Sequence, residues 1–226
     1  MKKFALLTAL MATCWGLTAQ EIITHKLNDF NQISLNGNLN VVLVPGEENS
    51  FEVTLHNTDA DRFSFSTTDG KLALRLKANT RQQASADVKI IYKKIDLLDV
   101  ISSSVRGEGA IVSDLFELKT GNGANVTIEV NAKDLSVTAD GNSAASISGK
   151  TPYLNIAATS KSKVDARGVE ARSAQVTSTL NGEVFVWATE RLEAKAGSNA
   201  VIFYKGTPEI FKQSTNLMGS IEQFSY

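Results

Sequence analysis

The chain has 226 residues, which is long enough for one extended β domain or two smaller domains with an ample apolar core. Its 23 basic and 24 acidic residues are interspersed and give a formal net charge of −1, so composition argues against a nucleic-acid partner. With only 3 prolines and 15 glycines, a collagen-like or disordered chain is excluded.

The segment 1–19 has the features of a signal peptide. Lys2 and Lys3 precede an apolar stretch over residues 4–17, and Thr18-Ala19-Gln20 resembles a cleavage site. The stretch is short for a membrane span of about 20 residues, so we expect no transmembrane segment after its removal. The sequence thus predicts export to the periplasm, outer surface or extracellular space. Cleavage would remove Cys14, the only cysteine, whose lipidation the sequence leaves open because residues 11–13 make a poor lipobox.

Residues 20–95 are predicted to form a region of antiparallel strands. Apolar residues alternate with polar ones over 33–43, on both sides of the turn-forming Asn36-Gly37-Asn38. Alternation resumes over 51–55 and again over 72–76, and Asp69-Gly70 is a strong hairpin signal between two strands.

Residues 96–207 form a series of repeats with a period of about 19 residues, a length typical of stacked β coils. The repeats begin at Leu98, Phe116, Leu135, Leu154, Ala174 and Leu192. Apolar or small residues occupy positions zero, two and four of each repeat, and a corner of three residues follows in all but the first. The first repeat fits only through its opening strand, because Arg106 and Glu108 occupy columns that are small or apolar elsewhere. Because alternate residues of a strand share one face, this pattern predicts coils of two short strands around a shared apolar interior. The fold class is therefore all-β, a β-helix or β-solenoid.

Four segments of the repeat region resemble the GIN-domain family of secreted Bacteroidetes-type auto-transporter adhesin heads. They are Leu118-Lys-Thr-Gly-Asn-Gly123, Leu135-Ser-Val-Thr-Ala-Asp-Gly141, Leu192-Glu-Ala-Lys-Ala-Gly-Ser198 and Phe203-Tyr-Lys-Gly-Thr-Pro208. The corners at 159–161 and 179–181 depart from the glycine-rich pattern of the family. The resemblance implies a β-helix-like fold and an adhesin role, and it implies no catalytic residues.

An apolar cluster is predicted on the outer face of the last two repeats. Phe185, Trp187, Val201 and Phe203 occupy alternate positions that face away from the interior. Such a cluster is typical of a contact surface, which points to a homo-oligomer or a bound ligand. The alternative is that residues 208–226, a predicted capping tail with several apolar residues, cover it.

Other residue types give weaker hypotheses. The Asn and Asp residues at the corners are typical of turns rather than of a calcium β-roll, and His25 and His56 lack metal-ligand spacing. We therefore expect no metal or cofactor. Asp165 faces outward between two basic residues, as carboxylates do on some β-helical carbohydrate-active enzymes.

The sequence as a whole favours an exported, non-enzymatic β-solenoid that is adhesin-like or envelope-associated, with a glycan or an envelope protein as partner. The alternative is a carbohydrate-active enzyme or a glycan-binding protein that uses the solenoid surface. A purely structural periplasmic protein is a third interpretation.

Overall fold

The structure is a computed structural model that describes residues 23–78 and 83–224. The predicted signal peptide and Cys14 lie outside these residues. The described chain is 71% strand, with one 3₁₀ turn at Ala60–Arg62. It forms a β-solenoid whose coils repeat after about 19 residues, so the predicted fold class is confirmed. No helix in the described ranges is long and apolar enough to cross a bilayer.

Sixteen strands make up the described part of the fold, and those in the middle of the chain are the longest. The strands are β1 Ile23–Lys26, β2 Gln32–Asn36, β3 Leu39–Pro45, β4 Ser50–His56, β5 Phe63–Thr68, β6 Lys71–Leu76, β7 Ser85–Tyr92, β8 Leu97–Ile101, β9 Ser104–Gly121, β10 Asn125–Ala139, β11 Ala144–Ala158, β12 Lys163–Ser178, β13 Glu183–Ala196, β14 Val201–Lys205, β15 Ile210–Thr215 and β16 Ser220–Gln223.

The strands form two layers that face each other across the core. Layer A has the strand order β1-β4-β7-β3-β9-β10-β11-β12-β13-β14-β16. Layer B runs β5-β6-β2-β8 and continues through the second halves of β9 to β13 to β15. Each long strand begins in layer A and ends in layer B, so successive coils stack in parallel register over both layers.

The interior is built from the alternate apolar residues that the repeat predicted. Leu135 and Val137 are 0% and 1% exposed, and Ala139 is fully buried. They pair in register with Leu154, Ile156 and Ala158 of the next coil, which are buried as well. Strand alternation therefore directs one continuous apolar column from each layer into the core.

Each coil turns from layer B to layer A at a tight corner that contains two successive residues with positive φ. The pairs are Asn122 and Gly123, Gly141 and Asn142, Ser160 and Lys161, Leu180 and Asn181, Ser198 and Asn199, and Leu217 and Met218. Gly and Asn tolerate this left-handed backbone, whereas most other residues lose about 1–2 kcal/mol in it. The corners that lack glycine thus keep the same geometry at a local cost in stability.

We expect Leu180→Asn to stabilise the protein. Leu180 has a φ of 50° and is 53% exposed, so its side chain contributes little burial while its backbone is strained. The substitution should raise the free energy of unfolding by about 0.5–1 kcal/mol. Thermal denaturation followed by circular dichroism measures the change, and Leu180→Val, which is β-branched, should lower the melting temperature. A lower melting temperature for Leu180→Asn would contradict the strain.

The buried hydroxyls beside the corners differ in how well they are satisfied. Ser162 Oγ donates a hydrogen bond to the carbonyl oxygen of Ala139 at 2.9 Å. Ser178 Oγ is buried without a hydrogen-bond partner among the described residues. Gly182, across the same corner, has no side chain to offer a partner, and a Cβ added to it would lie 2.7 Å from that oxygen.

Replacing these two serines by alanine should therefore have opposite effects. Ser162→Ala should destabilise the protein by about 1 kcal/mol because a buried hydrogen bond is lost. Ser178→Ala should be neutral or stabilising by up to about 1 kcal/mol because an unsatisfied buried hydroxyl is removed. Chemical denaturation of both variants tests the pair, and equal losses of stability would show that Ser178 is bonded in solution.

The region before residue 95 contains antiparallel pairs, and it also joins the solenoid through parallel ones. Strands β1 and β7 both pair with β4 in antiparallel register, and β5 pairs with β6 as the hairpin predicted at Asp69-Gly70. Strands β2 and β3, however, pair in parallel with β6 and β7 on one side and with β8 and β9 on the other. Strands β2 and β3, which form the first coil along the chain, thus lie inside the stack and not at its end.

The first repeat begins two residues earlier than the sequence spacing indicates. Leu98 pairs with Leu118 and not with Phe116. The pairing of β9 with β10 is also irregular. Arg106 pairs with Thr127 whereas Ala110 pairs with Glu129, so β9 has extra residues between these two pairs. This extra length at Gly107–Gly109 lets Val105 and Ile111 both point inward, at 4% and 1% exposure.

The residues after 208 continue the stack. Strand β15 pairs in parallel with the second half of β13, and β16 pairs in parallel with β14. Phe211 and Ile221 extend the inward columns of Leu192 and Ile202. The assignment of this segment as a cap stays a prediction.

Candidate functional site

The outer face of layer A carries a groove at its N-terminal half. Two in-register columns of outward side chains cross strands β4, β7, β3, β9 and β10. The groove encloses about 560 Å³. Its residues are Thr54, Asp87, Asn40, Ser104 and Asn125 in one column and Glu52, Lys89, Val42, Arg106 and Thr127 in the other.

The side-chain lengths account for the concave floor. Val42 is short and half-buried, and it lies in register between Lys89 and Arg106, which are long and exposed. The neighbouring column contains only short polar side chains. The inward residues Val41, Val88 and Val105 complete the lining.

Formal charges in the groove balance. Glu52 and Asp87 are acidic, whereas Lys89 and Arg106 are basic, so the lining has no net charge at neutral pH. Glu52 and Lys89 are cross-strand neighbours, yet neither forms an ion pair with another described residue. Arg106 donates one hydrogen bond to Glu108 at 2.8 Å, which leaves other guanidinium donors for a ligand.

Asp87 is held in place by neighbours on both sides. The Asn40 side-chain amide donates a hydrogen bond to Asp87 Oδ1 at 2.9 Å, and this bond is the main cause that holds the Asp87 pKa below its ordinary value. His56 Nε2 lies 2.8 Å from Oδ2 of the same carboxylate and lowers the pKa further. Asp87 is therefore ionised at neutral pH and is an oriented hydrogen-bond acceptor.

The four residues of the predicted contact surface lie together at the other end of this face. We call Phe185, Trp187, Val201 and Phe203 the aromatic strip; they lie on β13 and β14, and each is half-buried. The rings of Phe185 and Phe203 stack with centroids 4.8 Å apart. The role of the strip as a contact surface stays a prediction.

Cations and the C-terminal segment partly cover the aromatic strip. Arg167 and Lys163 approach the Phe185 ring at 4.5 and 5.1 Å, and Lys205 lies 4.1 Å from the Trp187 centroid. Phe224 meets Phe185 edge-on at 6.1 Å. These contacts use part of the aromatic surface within the chain itself and explain why none of the four side chains is fully exposed.

Asp165 is committed to an ion pair. Arg167 donates to its carboxylate from the side chain and, at 3.2 Å, from the backbone amide. The Arg167 hydrogen bond is the main cause that lowers the pKa of Asp165. A general acid would need a raised pKa and a second carboxylate opposite. The geometry therefore does not favour glycoside hydrolysis at Asp165.

The corner residues adopt the turn conformation expected of them. Asn122, Asn142, Asn181 and Asn199 have φ between 50° and 63°, and the Asp140 carboxylate accepts a hydrogen bond from the Gly141 amide at 2.7 Å. In the described part of the chain, no group of three or more His, Cys, Asp or Glu residues is placed to hold a metal ion.

Sequence reasoning missed the groove because its residues come from five strands that are far apart along the chain. Outward positions on β3, β7, β9 and β10 can be read from alternation alone. Their assembly requires the parallel pairing of β3 between β7 and β9, which the local pattern does not specify. The available signal was Arg106, which breaks the apolar column of its repeat.

The chain resembles known proteins in sequence and in fold. A family model described as "Putative auto-transporter adhesin, head GIN domain" matches residues 29–208. A search of curated protein sequences gives no significant match.

Three solved structures illustrate the similarity of fold. A putative adhesin from Bacteroides fragilis NCTC 9343 has a TM-score of 0.79 at 19% identity and covers 91% of this chain and 98% of its own. A putative adhesin from Parabacteroides distasonis ATCC 8503 has a TM-score of 0.68 at 18% identity, with coverages of 90% and 96%. A putative lipid binding protein from the same strain has a TM-score of 0.69 at 19% identity, with coverages of 91% and 96%.

Proposed function

This chain belongs to the GIN head-domain family of putative auto-transporter adhesins, and from that membership we propose that it is an exported, non-enzymatic, adhesin-like binding protein. The observation that carries the proposal is the groove on the outer face of layer A. It is a concave groove with a volume of about 560 Å³, and its outward side chains, nearly all of them polar, are mounted on paired strands.

Binding without catalysis is supported by the chemistry of the groove. Its two carboxylates, Glu52 and Asp87, lie in different columns, and the Asp87 pKa is lowered rather than raised. General acid catalysis needs a carboxyl group that keeps its proton near neutral pH. Asp87 is therefore suited to accept hydrogen bonds from a ligand rather than to donate a proton, which is a property of a recognition site.

Export is supported by the N-terminal sequence. Two lysines, an apolar stretch over residues 4–17 and a small-residue site at 18–20 follow the order of a secretory signal. An adhesin-like protein has to reach the cell envelope or the medium to meet its partner, so the two parts of the proposal depend on each other.

Two measurements test this proposal. Cell fractionation with an antibody against the protein should place it outside the cytoplasm, at a mass reduced by the loss of the segment 1–19. Purified protein should bind in a saturable way to immobilised extracts of cell-surface material and release no reducing ends from them. Cytoplasmic location of an unprocessed chain, or turnover of a bound glycan, would refute it.

A further inference from the structure

We propose that the groove binds a neutral oligosaccharide laid across strands β4, β7, β3, β9 and β10. This inference rests on the proposed binding function and specifies its ligand. The groove crosses five strands, and four inter-strand spacings amount to about 19 Å. This length suits an extended chain of several sugar rings rather than a single small molecule.

Hydrogen-bonding groups in the groove match a ligand rich in hydroxyls. One column contains two hydroxyls, two amides and the carboxylate of Asp87. The ammonium of Lys89 and the guanidinium of Arg106 add donors, and Glu52 adds an acceptor. A sugar hydroxyl both donates and accepts, so it can pair with every one of these groups.

The balance of charge selects against charged polymers. Two acidic and two basic side chains face the groove, so neither a polyanion nor a polycation gains a net electrostatic attraction. Among the described lining residues none is aromatic, and Val42 is the outward apolar side chain. Carbon atoms contribute much of the exposed lining between the polar groups, so a ligand that combines hydroxyls with apolar ring faces fits the groove better than a wholly apolar one, which would leave the polar groups without partners.

Backbone pairing selects against a peptide added as a strand. Strands β7, β3, β9 and β10 each have a partner on both sides, so their backbone hydrogen bonds are already used. Strand addition requires an open sheet edge. A ligand in the groove consequently meets side chains, and these are mounted on paired strands that restrict their movement.

The Asp87 carboxylate is already oriented by its neighbours before a ligand binds. Asp87 is fixed by Asn40 and His56 at 2.9 and 2.8 Å, and a carboxylate with two such contacts can still accept further hydrogen bonds. Groups that are already positioned lose little conformational entropy when the ligand binds. We expect Asp87 and Lys89 to make central contacts with ligand hydroxyls.

The test uses the purified protein on a printed array of neutral, sialylated and sulfated oligosaccharides, followed by calorimetric titration of the best neutral ligand. The blocking variant is Thr127→Trp, because Thr127 is exposed at the end of the groove and tryptophan is well tolerated in strands. Its matched control is Thr138→Trp, which lies on the same strand but faces outward from layer B.

We expect neutral oligosaccharides to bind, Thr127→Trp to weaken binding at least about 20-fold, and Thr138→Trp to leave it within about twofold. Lys89→Met keeps the side-chain length but removes the ammonium, and it should weaken binding about 5- to 10-fold even if the tryptophan variant folds poorly.

Three results would overturn this assignment: binding confined to sialylated or sulfated ligands, neutral binding that neither Thr127→Trp nor Lys89→Met weakens, or an array without any bound ligand. If the array fails while the protein still binds surface extracts, the ligand class is wrong and the adhesin-like function stands. If both assays fail, the proposed function fails as well.

Discussion

Ala158→Trp is expected to unfold the coil stack. Ala158 is 2% exposed and lies in register between Ala139 and Ser178, both of which are buried. The interior beside the corner is thus filled by small side chains, and an indole has no space there. Overpacking by a few methylenes costs about 1–3 kcal/mol, so this larger change should cost more than about 3 kcal/mol.

The matched control for this prediction is Ala157→Trp, one residue earlier on the same strand. Ala157 is exposed on the outer face of layer B, so the same side chain should change the free energy of unfolding by less than about 0.5 kcal/mol. Circular dichroism melts and size-exclusion chromatography compare the two variants. Equal melting temperatures would show that the inward and outward faces of this strand are assigned incorrectly.

Gly149→Ala is expected to have the second-largest effect. Gly149 has a φ of 121°, and a Cβ added there would lie 2.0 Å from the carbonyl oxygen of Val130 in the preceding coil. Both the backbone conformation and the close approach require glycine. Alanine should cost at least about 2–3 kcal/mol, which corresponds to a fall of about 5–10 °C in melting temperature for a chain of this size.

Gly121→Ala is the control for the glycine prediction. A Cβ at Gly121 would meet no atom within 4 Å, and its φ lies outside the left-handed region. Alanine should be neutral there or stabilising by up to about 1 kcal/mol through the unfolded state. If Gly149→Ala and Gly121→Ala had equal melting temperatures, the backbones of neighbouring coils would have to lie further apart at Gly149 than this contact implies.

The same close approach recurs at two more places in the stack. A Cβ at Gly37 would lie 2.2 Å from the carbonyl oxygen of Leu76, and one at Gly206 would lie 2.1 Å from that of Ala188. Their φ values are 108° and 107°. In the sequence, Gly206 is only the end of a strand and Gly37 part of a turn. Their need for glycine comes from the neighbouring coil, which no local pattern contains.

The repeat arithmetic predicted the core well because it depends on local geometry. Alternation by two determines which face of a strand a residue occupies, and the constant coil length brings equivalent residues into register. Leu135 and Val137 are buried as expected, and even the corners without glycine keep two left-handed residues. These features need no knowledge of distant contacts.

The repeat spacing predicted the register of the first repeat incorrectly, and the reason is again physical. The interval from position 96 to Phe116 is lengthened at Gly107–Gly109, so counting back from later repeats places Leu98 two residues out of register. Hydrogen bonding between β8 and β9 decides the true register. Arg106, a misfit in the apolar column, is thereby placed on the outer face and in the groove.

The amino-acid sequence by itself determined the all-β class, the coil period, the inward face of the strands from the second repeat onward and the outward position of the aromatic strip, because each of these follows from neighbours a few residues apart. Only the tertiary structure decided that β2 and β3 lie inside the stack, between β6 and β7 on one side and β8 and β9 on the other. Parallel pairing between strands this far apart along the chain depends on which strand edges form hydrogen bonds with each other in the folded protein. That pairing brings the residues of the groove together.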